Sequence, residues 1–486
     1  MTTSNLPIAA SGETAQLTQR RLLRRLVGYS LARGTTEVLL AVRGVLLAIL
    51  LGPAAFGTWA LLRLIMRYSS LVGHSVYRGL ELELLRDKKT ASERPNASAP
   101  AALGFVLAVS GSLATAALTA SLLVQNDADR MLLRGFAAAS LAESLYGYAL
   151  VCTRLRGNLR LYSLLESGTA LLHVVCAVAM ASLWGLGGAF VGLTLANVIG
   201  IVAARRWLEL RPTLELKSVR RMLEVGFPVV LSIAAGMLLA TGDRWVVAIW
   251  GGPTMLGYYA FAGSVTTVAG ALAMVVRTVV FPQVYGDASS NGAAAALQAH
   301  LKRALLPFAR LLPPLLGAVS VALGPLVAIA VPSYHEAIAP GRIFLLSGVA
   351  MGLVNLASIG AVAAGRQRQL PLYAGCALAL TFALSIVALA SGYGLGSVAA
   401  ATFAGHLLFA GLVLRLNARE AGIPGAGRFV VTVLLPLGWC AAAVGLVGQV
   451  VPGLDLFSTL TAFVMYALLL IPLASAWRQE WQRLRG

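Results

Sequence analysis

The sequence predicts an all-α polytopic membrane protein: about 14 transmembrane helices, built as two six-helix bundles related by a parallel pseudo-two-fold repeat plus two C-terminal helices. Three observations predict it. Of 486 residues, 58% are hydrophobic and 12% charged, with mean hydropathy +0.81, whereas a soluble globular chain carries about 25% charged residues. Apolar stretches of about 20 residues, the length that crosses a hydrocarbon core, recur along almost the whole chain. A turn motif also occurs twice at a long, regular separation. The net charge of +19 and pI near 10.5 would suit a nucleic-acid binder, but the basic residues lie scattered between apolar runs rather than in one polar patch, so no nucleic-acid partner is expected.

The elements follow from cuts at Gly, Pro and charge clusters. Before the first span, QRRLLRRLVGYSLARG sets Leu22, Leu23, Leu26 and Val27 among arginines, as in an amphipathic helix on an anionic membrane face. The spans are expected at about 35–53, ended by Gly52 and Pro53; 56–79, ended by a charged run; 101–124; 131–153; 162–183; and 186–204, ended by Arg205 and Arg206. The second set falls at about 226–250, 255–281, 305–331, 338–363, 371–391 and 394–414, and the two extra spans at about 429–450 and 454–476. Cys152, Cys176, Cys376 and Cys440 all lie inside apolar runs and read as small buried hydrophobes, with no metal site and no cofactor implied.

Orientation follows from the basic residues, which collect on the cytoplasmic side. Of the 38, 29 fall in the two tails and alternate loops, while the intervening loops hold only Arg130, Arg134 and Arg342. Both termini are therefore expected in the cytoplasm. No loop is large enough for a catalytic domain, which argues against an enzyme and for a transporter.

The first span ends in GPAAFGTWA, Gly52 to Ala60, and 200 residues later Gly252 to Ala260 reads GPTMLGYYA. An arginine follows each turn by about twenty residues, Arg78 and Arg277, and Asp243 stands where the first copy has Arg43. This agreement divides the chain into a cytoplasmic tail (1–33), an N-terminal six-helix bundle (34–206), a linker (207–225), a C-terminal bundle (226–415), two extra helices (428–477) and a short cytoplasmic tail (478–486). Each bundle has an even number of spans, so the copies share one orientation, and transporters of this kind bind substrate between the halves.

With Arg134, Arg310 and Arg342, which lie within about five residues of a span end, counted among the loops, six basic residues remain inside spans: Arg43, Arg63, Arg67, Arg78, Arg244 and Arg277. Near a helix centre each costs about 2.5–3.5 kcal/mol to insert, so they are expected to face protein or water. On the second span, at about 100° per residue, Arg63, Arg67, His74 and Arg78 fall within about 60° of one another, a single basic stripe over about 22 Å. Arg78 and Arg277 could equally be snorkelling anchors at the cytoplasmic ends, and His74 an ordinary hydrogen-bonded interior histidine. Asp243 and Arg244 form a candidate buried ion pair, with Arg43 or Arg63 as other partners for Asp243, because adjacent helical residues do not face each other. Glu37, which could pair with Arg33, is embedded too, as are Glu143 and Glu166.

The segments LGPAAFGTWALL, GFPVVLSIAAGMLLATGDRWVVAIWGGPTMLGYYAFAGSV through VVFPQV, and SYHEAIAPGRIFLLSG resemble the polysaccharide-unit flippases of the multidrug/oligosaccharidyl-lipid/polysaccharide exporter superfamily, over about residues 25–415. The resemblance implies a MATE-like fold with a V-shaped cavity between two bundles, lined chiefly by spans 1, 2, 7 and 8 and opening to alternate sides. It also implies a place in the bacterial inner membrane and, as partners, a lipid-linked oligosaccharide, membrane lipids, a polysaccharide polymerase and chain-length proteins. Forked arginine donors suit a diphosphate, so the expected cargo is an undecaprenyl-diphosphate-linked oligosaccharide held by Arg43, Arg63, Arg67, His74, Arg78 and Arg277. Cavity arginines on the first, second and eighth spans are also a point of resemblance to the lipid II flippase. No nucleotide-binding sequence is present, so an ion gradient or the membrane potential is the expected driving force, with Asp243, Glu37 and His74 as protonatable groups. A cation-coupled drug antiporter of the same fold, a lipid-dependent multi-span enzyme and a non-transporting scaffold are the rival readings.

Overall fold

The computed structural model describes residues 12–87, 98–156, 159–208 and 211–473, and among these every regular element is helical. The α-helices are α1 (Gly12–Asp87), α2 (Ser98–Leu123), α3 (Asp127–Leu155), α4 (Leu159–Ala204), α5 (Leu216–Asn291), α6 (Ala293–His300), α7 (Leu306–Ala330), α8 (Ile338–Ala363), α9 (Gln369–Ala390), α10 (Leu395–Glu420), α11 (Ala426–Val450) and α12 (Leu456–Leu469). The side chains of the expected N-terminal amphipathic segment and the tail beyond residue 473 lie outside the described residues.

Three of these helices are hairpins. α1 breaks at Gly52 (φ 71°) and α5 at Gly252 (φ 72°), the left-handed region that only glycine enters cheaply, and α4 breaks at Trp184 and Gly185. In a straight helix, residues sixteen apart are separated by about 24 Å. Yet the Arg43 guanidinium lies 5.8 Å from the centroid of the Trp59 ring, and Tyr259 Oη donates to Asp243 at 2.6 Å, each pair sixteen residues apart. The chain has reversed between them. The Gly-Pro of each repeated turn thus ends one membrane crossing and starts the next, Pro occupying the helical start that needs no N–H partner.

Among the described residues, nine helical stretches are long and apolar enough to cross a membrane, and three of the nine contain these breaks. α3 and the 14-residue α12 do not qualify by that criterion, so length and composition alone do not establish the expected total of fourteen. Two boundaries move. α5 begins at Leu216, inside the expected linker, because Val219 and Met222 are buried while Arg220 and Arg221 face outward, an amphipathic turn that extends the helix. It also runs past Pro282 to Asn291, so that proline does not end it.

α1 to α4 pack on one another; α5 and α7 to α10 do likewise, with α11 against α7 and α10. The two groups meet where α1 lies along α5. At the turns, a methyl added to Gly57 would overlap the Pro253 carbonyl, and one added to Gly257 would overlap that of Pro53. Midway, Tyr68 Oη and Thr241 Oγ1 share a 3.0 Å hydrogen bond and the Tyr68 ring meets Trp245 edge-on at 5.7 Å. Near the other end, Gly79 abuts the Met222 backbone and Gly226 abuts the Ser75 carbonyl. The two helices thus touch at both ends and midway.

Beside the turns, buried Tyr334 plugs the seam: its ring packs against Phe56, Tyr258 and Phe261 at 6.3, 5.9 and 4.5 Å, and its hydroxyl donates to the Ala48 carbonyl at 2.9 Å. Tyr334→Phe keeps the packing and removes one hydrogen bond, so the expected loss is about 1 kcal/mol, with about 3 kcal/mol as the ceiling for a stranded buried carbonyl. Thermal unfolding in detergent measures it.

Candidate functional site

On the second arm of α1, residues three and four apart share a face, and the basic stripe turns inward. Arg63, Arg67 and His74 line one cavity of about 450 Å³. It lies within the α1–α4 group: Glu37 enters from the first arm of α1, Val106 and Ser110 from α2, Ser140 and Glu143 from α3, Glu166, Thr169 and His173 from α4. From α5 only Ile233 and Met237 reach it among the described residues. This cavity is thus framed mostly by α1–α4, whereas the cleft expected from the sequence lies between the bundles, lined chiefly by spans 1, 2, 7 and 8. Where α1 and α5 meet, Tyr68 is bonded to Thr241 and glycines pack on backbone at both ends.

Arg63 and Glu143 form an ion pair across the cavity wall, their side chains 22% and 32% exposed. Glu143 also lies in the electrostatic field of His173 and Arg43. Arg67, one turn along, is exposed to the cavity and makes no ion pair among the described residues. His74 is bonded through Nδ1 to the Ser70 carbonyl at 2.7 Å and lines the cavity. His173 Nε2 meets Asn197 Oδ1 at 3.0 Å. The site thus mixes cations with carboxylates and is not purely basic. Sequence reasoning had Glu143 and Glu166 as embedded but gave them no role, and His173 and Asn197 were missed; their signal would have been polar residues spaced along one face of each apolar helix.

The other expected residues lie elsewhere. Arg78 does not line the cavity: its Nη1 donates to Glu81 Oε2 at 2.8 Å, and Glu81 also pairs with Arg154, whose guanidinium lies over Tyr162 at 5.8 Å. Arg43 is buried against Trp59, with Nε and Nη1 lacking a hydrogen-bond partner among the described residues. Arg277 sits half-buried on the second arm of α5 and does not line this cavity.

Asp243 is buried in the second helical group, where it accepts hydrogen bonds from Tyr259 Oη (2.6 Å), Thr402 Oγ1 (2.8 Å) and the backbone N–H of Arg244 (2.9 Å). The Arg244 guanidinium does not pair with it, nor does Arg43 or Arg63, so the buried ion pair expected at Asp243 and Arg244 is corrected to a hydroxyl-held carboxylate. Consecutive side chains on a helix diverge by about 100°, which carries the guanidinium away and leaves only the amide within reach. Among the described residues no group of three or more His, Cys, Asp or Glu is placed to hold a metal ion.

A family profile described as polysaccharide biosynthesis protein matches residues 22–284. No curated protein matches the chain. Among solved structures, the chain is similar to the lipid II flippase MurJ in an inward closed conformation, at 13% identity and TM-score 0.69, over 93% of this chain and 99% of that one. It is similar to a multidrug resistance MATE family transporter in an inward-facing conformation, at 14% identity and TM-score 0.58, over 87% and 96% of the two chains. A MATE transporter of Vibrio cholerae matches at 15% identity and TM-score 0.54, over 86% of this chain and 99% of that one. At such identities the likeness is one of fold.

Proposed function

The chain belongs to the polysaccharide biosynthesis protein family, and from that membership we propose that it is a flippase carrying an undecaprenyl-diphosphate-linked oligosaccharide unit across the bacterial inner membrane by alternating access, for surface or exopolysaccharide synthesis. It is a multi-pass membrane transporter and not an enzyme. The observation that carries the cargo is the cavity of about 450 Å³ with Arg63 and Arg67 on one wall and hydroxyl, amide, imidazole and carboxylate groups on the others. Its volume lies in the range of pockets for drug-sized ligands, about 300–1,000 Å³. The diphosphate and its first sugar fit such a space, with arginine forks on the phosphates and the polar walls on the sugar hydroxyls; a longer glycan and the isoprenoid tail extend beyond it. In this reading both termini are cytoplasmic, the seam around Tyr334 closes the outer side, and a polymerase and chain-length proteins act on the delivered unit.

Asp243, in the other helical group, is our candidate for coupling transport to an ion gradient. Asp243→Asn is expected to leave binding of the diphosphate lipid intact while lowering gradient-driven flipping on the order of tenfold, the usual size of a coupling between distant sites. Flipping with and without an imposed gradient separates this from a folding defect.

The carboxylates Glu37, Glu143 and Glu166 in the same cavity favour one other reading, a cation-coupled antiporter of small molecules. Reconstitution decides. Vesicles holding the purified protein and a fluorescent undecaprenyl-diphosphate glycan should move the glycan between leaflets, and Arg67→Ala should stop it. Export of organic cations with no flipping of the lipid would establish the antiporter instead.

A further inference from the structure

The Arg63–Glu143 pair sits where the proposed cargo must bind, which makes the pair a feature of selection rather than of folding alone. A diphosphate bridging a lipid and a sugar carries two negative charges, and the matching monophosphate carries one. Of the two arginines on the cavity wall, Arg67 makes no ion pair among the described residues, while Arg63 is already neutralised by Glu143. A single-charge head can satisfy Arg67 but lies close to the Glu143 carboxylate, with no second anion to draw Arg63 away. A two-charge head places one phosphate on Arg67 and offers the second to Arg63, in place of the carboxylate.

We propose that Glu143 is a resident counter-ion of Arg63 that a diphosphate displaces and a monophosphate does not, so that this residue sets the cavity's preference for diphosphate over monophosphate carriers. The proposal rests on the flippase reading above and deepens it. The geometry favours exchange over a permanent brace in two ways. Both side chains remain partly exposed to the cavity, at 22% and 32%, so a ligand reaches them without unpacking the helices. The Glu143 carboxylate also has another cationic neighbour, Arg43, in whose field it stays once Arg63 turns to the ligand. The displaced carboxylate is therefore not left as an isolated buried charge, the outcome that makes breaking most buried pairs costly.

The test uses the full chain in lipid nanodiscs and two probes with one sugar and one isoprenoid chain, a polyprenyl diphosphate sugar and the polyprenyl monophosphate sugar. The wild type is expected to prefer the diphosphate about a hundredfold, and Glu143→Gln to narrow that preference to about tenfold by tightening monophosphate binding, each tenfold being about 1.4 kcal/mol. Glu143→Asp, which keeps the charge, should retain most of the wild-type preference. An unchanged ratio in Glu143→Gln, or equal weakening of both probes with a lowered melting temperature in both variants, would show a structural brace and overturn the proposal. If the wild type binds neither probe, the flippase reading itself fails, and that result is read from the wild type alone.

Discussion

Arg67→Ala is expected to abolish flipping of a diphosphate-linked sugar without loss of stability. Arg67 faces the cavity and makes no ion pair among the described residues, so its removal strands no partner charge. What is lost is a charge-assisted contact to the cargo. Truncating one partner of such a contact costs about 2–5 kcal/mol, between about thirty- and a few thousand-fold in rate at about 1.36 kcal/mol per tenfold. Because the side chain is solvated before binding, the lower half of that range is the expectation. Arg67→Lys keeps the charge but not the fork and should fall between.

Arg63→Ala should behave differently. It removes one phosphate ligand and the nearer of the cations around Glu143, so transport should fall strongly while the melting temperature, with Arg43 still in that carboxylate's field, drops only slightly. Arg78→Ala should leave transport within a fewfold of wild type, since that side chain is tied to Glu81 outside the cavity. Initial flipping rates in vesicles, paired with thermal unfolding of each variant, check the series. Wild-type flipping by Arg67→Ala would remove the cavity arginines from the mechanism.

How much of this site was legible follows from what periodicity encodes. The 100° step places Arg63, Arg67 and His74 on one face, and the structure keeps them on one cavity wall. Arg78 shares that face, but Glu81 lies one turn further on and captures it, a local pairing at i,i+3 that periodicity does not rank against a distant cavity. Glu143 is eighty residues from Arg63, and nothing in either neighbourhood announces the other. Asp243 was expected to need an arginine because a buried charge is costly; three hydrogen-bond donors met the need, one of them Thr402 on a helix far along the chain. Periodicity assigns faces to single helices, whereas whether α1 and α5 part or close depends on the fit of two surfaces.

That fit supplies the second large effect. The repeated GPxxxG turns were legible as a repeat, but their reciprocal contact was not: Gly57 has room only for hydrogen against Pro253, and Gly257 only for hydrogen against Pro53. Such mutual contact, in which each copy presents the same patch to the other, is what a two-fold axis imposes on an interface. Gly57→Val and Gly257→Val should therefore have nearly equal effects. Each forces two backbones apart, and overpacking costs about 1–3 kcal/mol even where side chains can yield; here the obstacle is a carbonyl, so the upper end is expected. The closed seam should then be lost and transport with it. The double variant should cost clearly less than the sum of the singles, because one separation relieves both clashes. Gly111→Ala is the control, since an added methyl there meets no atom within 4 Å. Melting temperatures and flipping rates for the four proteins make the comparison. A large effect from Gly57→Val beside a negligible one from Gly257→Val would mean that the two turns do not act as a symmetric pair.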